Sequence, residues 1–217
     1  MGDAYLNVRK RLNRAGQYKY ESAEIRVVHS VRQLEWCKHK AELVRSILGG
    51  RFTVKEFVHA PPSMMGAAYR MCGFSCTNGY WKTAKHWLYP NGVKTYSEQL
   101  LSMCDTHSAA ILYQDDGHIR PHSVNGRVTS CSMEISAYCS EAEARILVDW
   151  LLRTTGSLWN VAHDPRRPEN KKAFLRCNTK VARQFAEAIE PFVHDTMRYK
   201  IANIAKPSST SAELPFG

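Results

Sequence analysis

Ser108-Ala109-Ala110-Ile111-Leu112-Tyr113-Gln114-Asp115-Asp116-Gly117 is the stretch on which the fold turns. Its first half is small and apolar, and at roughly 1.5 Å per residue the run spans about two helical turns. Ser108, Ala109 and Ala110 would let such a helix lie close against a neighbour. Gly117 permits the positive φ or sharp turn that ends it. The two carboxylates are the anomaly, because anions are disfavoured at a helix C-terminus. A divalent cation held by oxygen ligands would stabilise them. The plainer alternative is a short core helix followed by a solvated Asp-Asp-Gly turn.

Upstream, residues 9–19 are basic and interrupted by Asn13 and Gly16, and read as a loop or the ends of a β-ribbon. Residues 24–30 are β-branched and read as a strand. Leu34, Cys37, Ala41, Val44 and Leu48 then share a helical face that Gly49-Gly50 stops. Strands are expected at residues 52–59 and 68–75, followed by an aromatic and basic run over 80–89. A Pro90-Asn91-Gly92 turn and a short helix opened by Ser97 complete the first half.

Downstream, residues 128–136 read as a strand. Ser140-Glu141-Ala142-Glu143 is a capping-box pattern opening a helix with Ala144, Leu147, Val148 and Leu151 on one face, and Gly156 lies just past its end. Residues 157–162 and 173–178 read as a hairpin joined by a basic loop, and Thr179 is expected to cap a helix through Ile189. From Lys206 the Pro, Ser and Thr content points to a disordered tail. The order of elements thus repeats, which divides the chain into halves at 1–105 and 106–205 and a tail at 206–217.

The 217 residues carry 30 Lys+Arg against 20 Asp+Glu, a formal net charge of +10. So basic a balance points to a polyanion, nucleic acid first, with solubility alone as the alternative. Seven cysteines without a disulfide spacing suit reduced thiols. There is no signal-peptide pattern and no run approaching a membrane span, so a soluble protein is expected in a cytoplasm or an organelle matrix.

Taken together, these motifs resemble the LAGLIDADG homing endonucleases of the single-chain, intron- or phage-encoded type. Residues Ala109 to Gly117 match a variant of the nine-letter motif, and Met1-Gly2-Asp3-Ala4-Tyr5-Leu6 resembles the tail of a first motif whose helix is missing or truncated. The junction from Ser136 to Glu143, the closing Glu190-Pro191-Phe192 and Met197 to Ile201, and the turn from Tyr89 to Lys94 fit the same pattern. The resemblance implies an α+β fold of two pseudosymmetric αββαββα units, with antiparallel sheets forming a DNA-binding saddle around the motif helix. It implies a Mg²⁺- or Mn²⁺-dependent enzyme cutting double-stranded DNA and promoting intron homing. Asp3 and Asp116 would bind metal, with Lys94, Lys200 and His29 as further catalytic residues. The slot matching His29 in the second half holds Ala137, which cannot orient a water. DNA contacts are expected from Arg9, Lys10, Arg11, Arg14, Lys19, Arg26, Arg120, Arg127, Arg166, Arg167, Lys171 and Lys172. The rival reading is a non-cleaving binder on the same scaffold, a maturase on its own intron RNA or a repressor. A monomer is expected, or a homodimer if the truncated helix must be replaced.

Three other constellations carry less. Cys72, Cys76 and His86 lack a clean zinc spacing. The nine histidines are scattered, without the ligand spacing of a His-metal nuclease. Trp81 and Trp87 among lysines suit either base stacking or sheet packing.

Overall fold

The computed structural model describes residues 4–59, 69–164, 172–202 and 204, without the side chains of 9–12, 18–20, 59 and 127. The chain divides into two compact units, Met1–Met103 and Cys104–Gly217. Each is a four-stranded antiparallel sheet carrying helices, an α+β architecture. No helix among the described residues is long and apolar enough to cross a membrane.

In the first unit β1 (Ala4–Leu12), β2 (Tyr18–Ser30), β3 (Lys55–His59) and β4 (Tyr69–Thr77) lie in the order β1-β2-β4-β3. The basic segment is a hairpin rather than a loop. Asn13 closes its turn by accepting from the backbone N–H groups of Ala15 and Gln17. Alternation decides which face is buried. Val27, Cys72 and Phe74 pack with Cys37 and Ala41 of α1 (Leu34–Leu48). The aromatic run folds as α2 (Tyr80–Leu88), and Ser97 caps α3 (Glu98–Leu101). The motif tail at residues 1–3 and the tail beyond 205 lie outside the described residues.

The second unit runs α4 (Thr106–Asp116), β5 (Gly117–Val124), β6 (Arg127–Cys139), α5 (Glu141–Thr155), β7 (Asn160–His163), β8 (Ala173–Cys177) and α6 (Thr179–Ile189). The sheet order, β5-β6-β8-β7, repeats that of the first. The repeat extends to residues: Ala4, Val27 and Phe74 form one cross-strand row, and Gly117, Ile135 and Leu175 form its counterpart. Met133, Ile135, Leu175, Leu147, Leu151 and Phe185 are fully buried between sheet and helices.

Local signals set the helix boundaries. Both halves of the Ser140–Glu143 capping box form, and Gly156 closes α5 at φ +69°. The cap of α6 is Asn178, not Thr179, whose hydroxyl donates instead to the Cys131 carbonyl at 2.7 Å. β5 was not anticipated, because Pro121 interrupts its pattern. An edge strand tolerates that residue, having one row of N–H groups unpaired in any case.

Asp105 caps α4, accepting from the Ser108 N–H at 2.9 Å and the Ser108 hydroxyl at 3.0 Å. The backbone bond outweighs burial and holds its carboxyl below the usual range. Asp105→Ala is expected to destabilise the second unit by about 1 kcal/mol, read as a lower denaturant midpoint. Because the folded pKa is depressed, the ionised cap contributes above the unfolded value, and the contribution disappears as pH falls through the folded one.

Candidate functional site

The acidic end of α4 is built differently from expectation. Gly117 has φ −88° and ψ 152° and is the first residue of β5, so no positive-φ turn ends the helix. What demands glycine is space: a Cβ there would lie 2.1 Å from Cδ2 of Tyr113 and 2.5 Å from its carbonyl oxygen. Asp115 and Asp116 are therefore half-buried at the last turn of a helix, not in a solvated turn.

Lys200 supplies a positive charge where two anions meet the negative end of the helix dipole. Its Nζ donates to the carbonyls of Gln114 at 2.7 Å and Asp115 at 3.3 Å. The Lys200 carbonyl in turn accepts from the Tyr113 hydroxyl at 3.0 Å, and burial pushes that phenol's pKa up strongly. Gln114, fully buried, completes the tether. Its Nε2 donates to the carbonyls of Ala110 and Phe192, and its Oε1 accepts from the His194 N–H at 2.8 Å. The closing segment of the chain is thus fastened to the acidic end of α4. Lys200→Met is expected to lower stability by about 1–2 kcal/mol and to speed amide exchange in the last turn of α4.

The remaining expected catalytic residues belong to the first half of the chain. Asp3 lies outside the described residues. Lys94, half-buried in the first unit, sits over the Tyr96 ring at 5.6 Å from its centroid. His29 lies two residues beyond Val27, opposite Cys72, on the face packed against the helices. It is 2% exposed, with Nδ1 3.3 Å from Oε1 of Gln33. Its counterpart also changes. β6 bulges between Ile135 and Cys139, with Tyr138 at φ +45°, so pairing sets Cys139 rather than Ala137 in the place of His29. Among the described residues no group of three or more His, Cys, Asp or Glu is placed to hold a metal. Cys72 and Cys76 are core residues and His86 is exposed on α2, so no zinc site forms from them. An oxygen-only site on Asp116 nonetheless suits Mg²⁺ or Mn²⁺, since Mg²⁺ takes one or two carboxylates, keeps waters and adds substrate phosphate oxygens.

The second sheet presents a polar face opposite its helices. His118, Arg120 and His122 of β5 stand beside Ser132 and Glu134 of β6 and Arg176 of β8. Glu134 is the centre of this group. Its Oε1 accepts from Arg120 Nη1 at 3.0 Å and from Arg176 Nη2 and Nε, both at 2.7 Å, while Oε2 lies 3.2 Å from His118 Nε2. Burial pushes the Glu134 carboxyl up, but the hydrogen bonds from Arg120 and Arg176 prevail and its pKa falls. His122 Nε2 is 2.9 Å from the Ser132 hydroxyl.

Other expected DNA contacts fall as follows. Arg26 is exposed on the helix-free face of the first sheet, and Arg14 is exposed in the hairpin turn. The backbones of Arg9, Lys10 and Arg11 lie in β1, Lys19 lies in β2, and Arg127 opens β6. Lys172 is exposed beside β8, while Arg166, Arg167 and Lys171 lie outside the described residues. Glu134 and Arg176 escaped the sequence reading. The available signal was a lone acid on the polar phase of Ser132-Met133-Glu134-Ile135 in a basic chain.

Two four-stranded antiparallel sheets with repeated order, and a motif helix leading into the second, give the chain the fold of the LAGLIDADG homing endonucleases. I-WcaI bound to its DNA recognition sequence aligns at TM-score 0.67 and 15% identity, over 92% of this chain and 80% of that one. I-GzeII, in complex with its DNA target, aligns at TM-score 0.57 and 7% identity over 94% and 85%. The meganuclease I-AabMI bound to uncleaved DNA aligns at 0.52 and 6% over 94% and 85%. No family model and no curated protein sequence matches the chain.

Proposed function

We propose that the protein is a sequence-specific DNA endonuclease of the LAGLIDADG homing type, hydrolysing phosphodiester bonds with Mg²⁺ or Mn²⁺ and promoting the mobility of its intron or gene. The observation that carries this reading is the half-buried Asp116 at the end of α4, with Lys200 beside it and an arginine-bearing sheet face beginning at the next strand. The DNA bound to the structural neighbours I-WcaI, I-GzeII and I-AabMI supports the choice of polymer.

When bound, a divalent cation supplies charge for the scissile phosphate and acidifies a water at neutral pH. The chain's own part is to hold and orient. Asp116 offers the carboxylate, fixed by a helix whose last carbonyls are engaged by Lys200. Asp3 is proposed as the matching acid of the first half, Lys94 and Lys200 as the cations facing transition-state charge. The sheet arginines hold the duplex by phosphate and base contacts.

The test is to incubate the full chain and Mg²⁺ with a duplex library of intron-free insertion sites and sequence the cut ends. Cleavage at one defined site is expected, with binding that weakens steeply as salt rises because phosphate contacts release counterions. The core-facing His29 favours the rival reading, a non-cleaving binder of intron RNA or operator DNA. Tight, site-specific binding with neither strand ever cut would establish that rival.

A further inference from the structure

We propose that Glu134 is a positioning residue that holds Arg120 and Arg176 as guanine-reading forks on the helix-free face of the second sheet. This rests on the DNA-binding reading above. A carboxylate on a face that meets a polyanion repels phosphate, so its presence there needs a reason. Here the side chain is 9% exposed and lies between two guanidinium groups that are 54% and 43% exposed. The three residues belong to three successive strands of the sheet, β5, β6 and β8, and together keep a net positive charge.

The bonding pattern shows what is left for a ligand. Arg176 spends its side edge, Nε and Nη2, on Glu134, which leaves the end-on pair of Nη1 and the second Nη2 proton. Among the described residues, Arg120 spends only Nη1 on a side-chain partner. Two parallel donors match the O6 and N7 acceptors that guanine shows in the major groove. A phosphate would match them too, but it would approach the Glu134 charge, whereas a base edge is neutral. The Phe174 ring lies 5.2 Å from the Arg176 guanidinium and restrains it further. Side-chain freedom that a solvated arginine loses on binding is here lost on folding, which sharpens selection. In the counterpart row of the first sheet, Tyr5, Arg26 and Ser75, an arginine stands where the second sheet has Glu134.

The test uses the full chain and a randomised double-stranded DNA pool in EDTA, with bound sequences read out for the wild type and two variants. The wild type is expected to enrich guanine at adjacent positions in one half-site. Glu134→Gln, nearly isosteric, should reduce that guanine preference about tenfold while total binding to the pool stays equal or tightens, since one negative charge is gone. Arg176→Lys keeps the charge but not the fork, and should lose one of these guanines and no other position. A merely structural Glu134 would instead weaken all positions evenly with a lower melting temperature, and that outcome overturns the proposal. So does unchanged guanine preference in either variant. If the wild type selects a defined site without this guanine, only the present inference falls; if it binds without selecting any sequence, the functional reading falls with it.

Discussion

On the proposed function, Asp116→Asn is expected to abolish strand cleavage, by about a thousandfold or more, while leaving duplex binding within a few-fold of wild type. The substitution is nearly isosteric, so the backbone of α4 and the contacts of Tyr113, Gln114 and Lys200 have no steric reason to change. What disappears is the formal charge that would hold a hard divalent cation. Loss of metal assistance removes several kcal/mol of transition-state stabilisation, and about 4 kcal/mol corresponds to roughly a thousandfold in rate. The same change should leave stability within about 1 kcal/mol of wild type, because relief of an anion at the negative end of a helix dipole is offset by lost attraction to Lys200. The signature is thus lost cleavage with an unfolding midpoint close to that of the wild type. Single-turnover cleavage of a plasmid bearing the selected site, paired with denaturant unfolding, measures both. Cleavage at the wild-type rate would remove Asp116 from the mechanism.

Gly117→Ala is expected to destabilise the second unit by about 3 kcal/mol or more. Replacing glycine with alanine at a compatible backbone conformation normally stabilises by about 0.4–1 kcal/mol, and φ −88° is compatible. The expected sign is reversed here because the new methyl would enter the Tyr113 ring and approach its carbonyl. Tyr113 has little room to retreat: it is fully buried, edge-on to Phe185 at 5.4 Å between centroids, and bonded through its hydroxyl to Lys200. Gly79→Ala is the control, since Gly79 has φ −59° and nothing within 4 Å of an added Cβ. Thermal unfolding of the two variants should move the midpoint sharply down for the first and little for the second. Equal midpoints would mean that the helix–strand junction is looser than its geometry.

The contrast between these glycines also explains what was legible in the sequence. Gly156 follows a helical face and takes the left-handed conformation, a local signal with a local cause. The capping box of α5 is equally local, spanning Ser140 to Glu143. Gly117 gave the same letter for another reason, a packing demand from a ring one helical turn earlier. The apolar run of α4 was readable, whereas its tethers required Phe192, His194 and Lys200, more than 70 residues away, to be placed beside it. β5 stayed hidden because His118, Arg120 and His122 put polar groups on one face and Pro121 broke the other. The helical face of α2, Trp81 with Ala84 and Leu88, was masked by its aromatic and basic neighbours. The Glu134 network joins three strands whose pairing no local pattern announces. The match of Ala137 to His29 rested on the resemblance alone, and the bulge in β6, which puts Cys139 in that place, is not legible in the sequence.

Because Gly117 follows Asp116 directly and already pairs with Ile135, there is no slack between the acid and the sheet. The carboxylate and the outermost strand behave as one stiff rod, without a hinge to isolate either end. On the proposed function, a mismatched duplex that pulls on that strand also drags the acid off target, so a faulty grip blunts the blade.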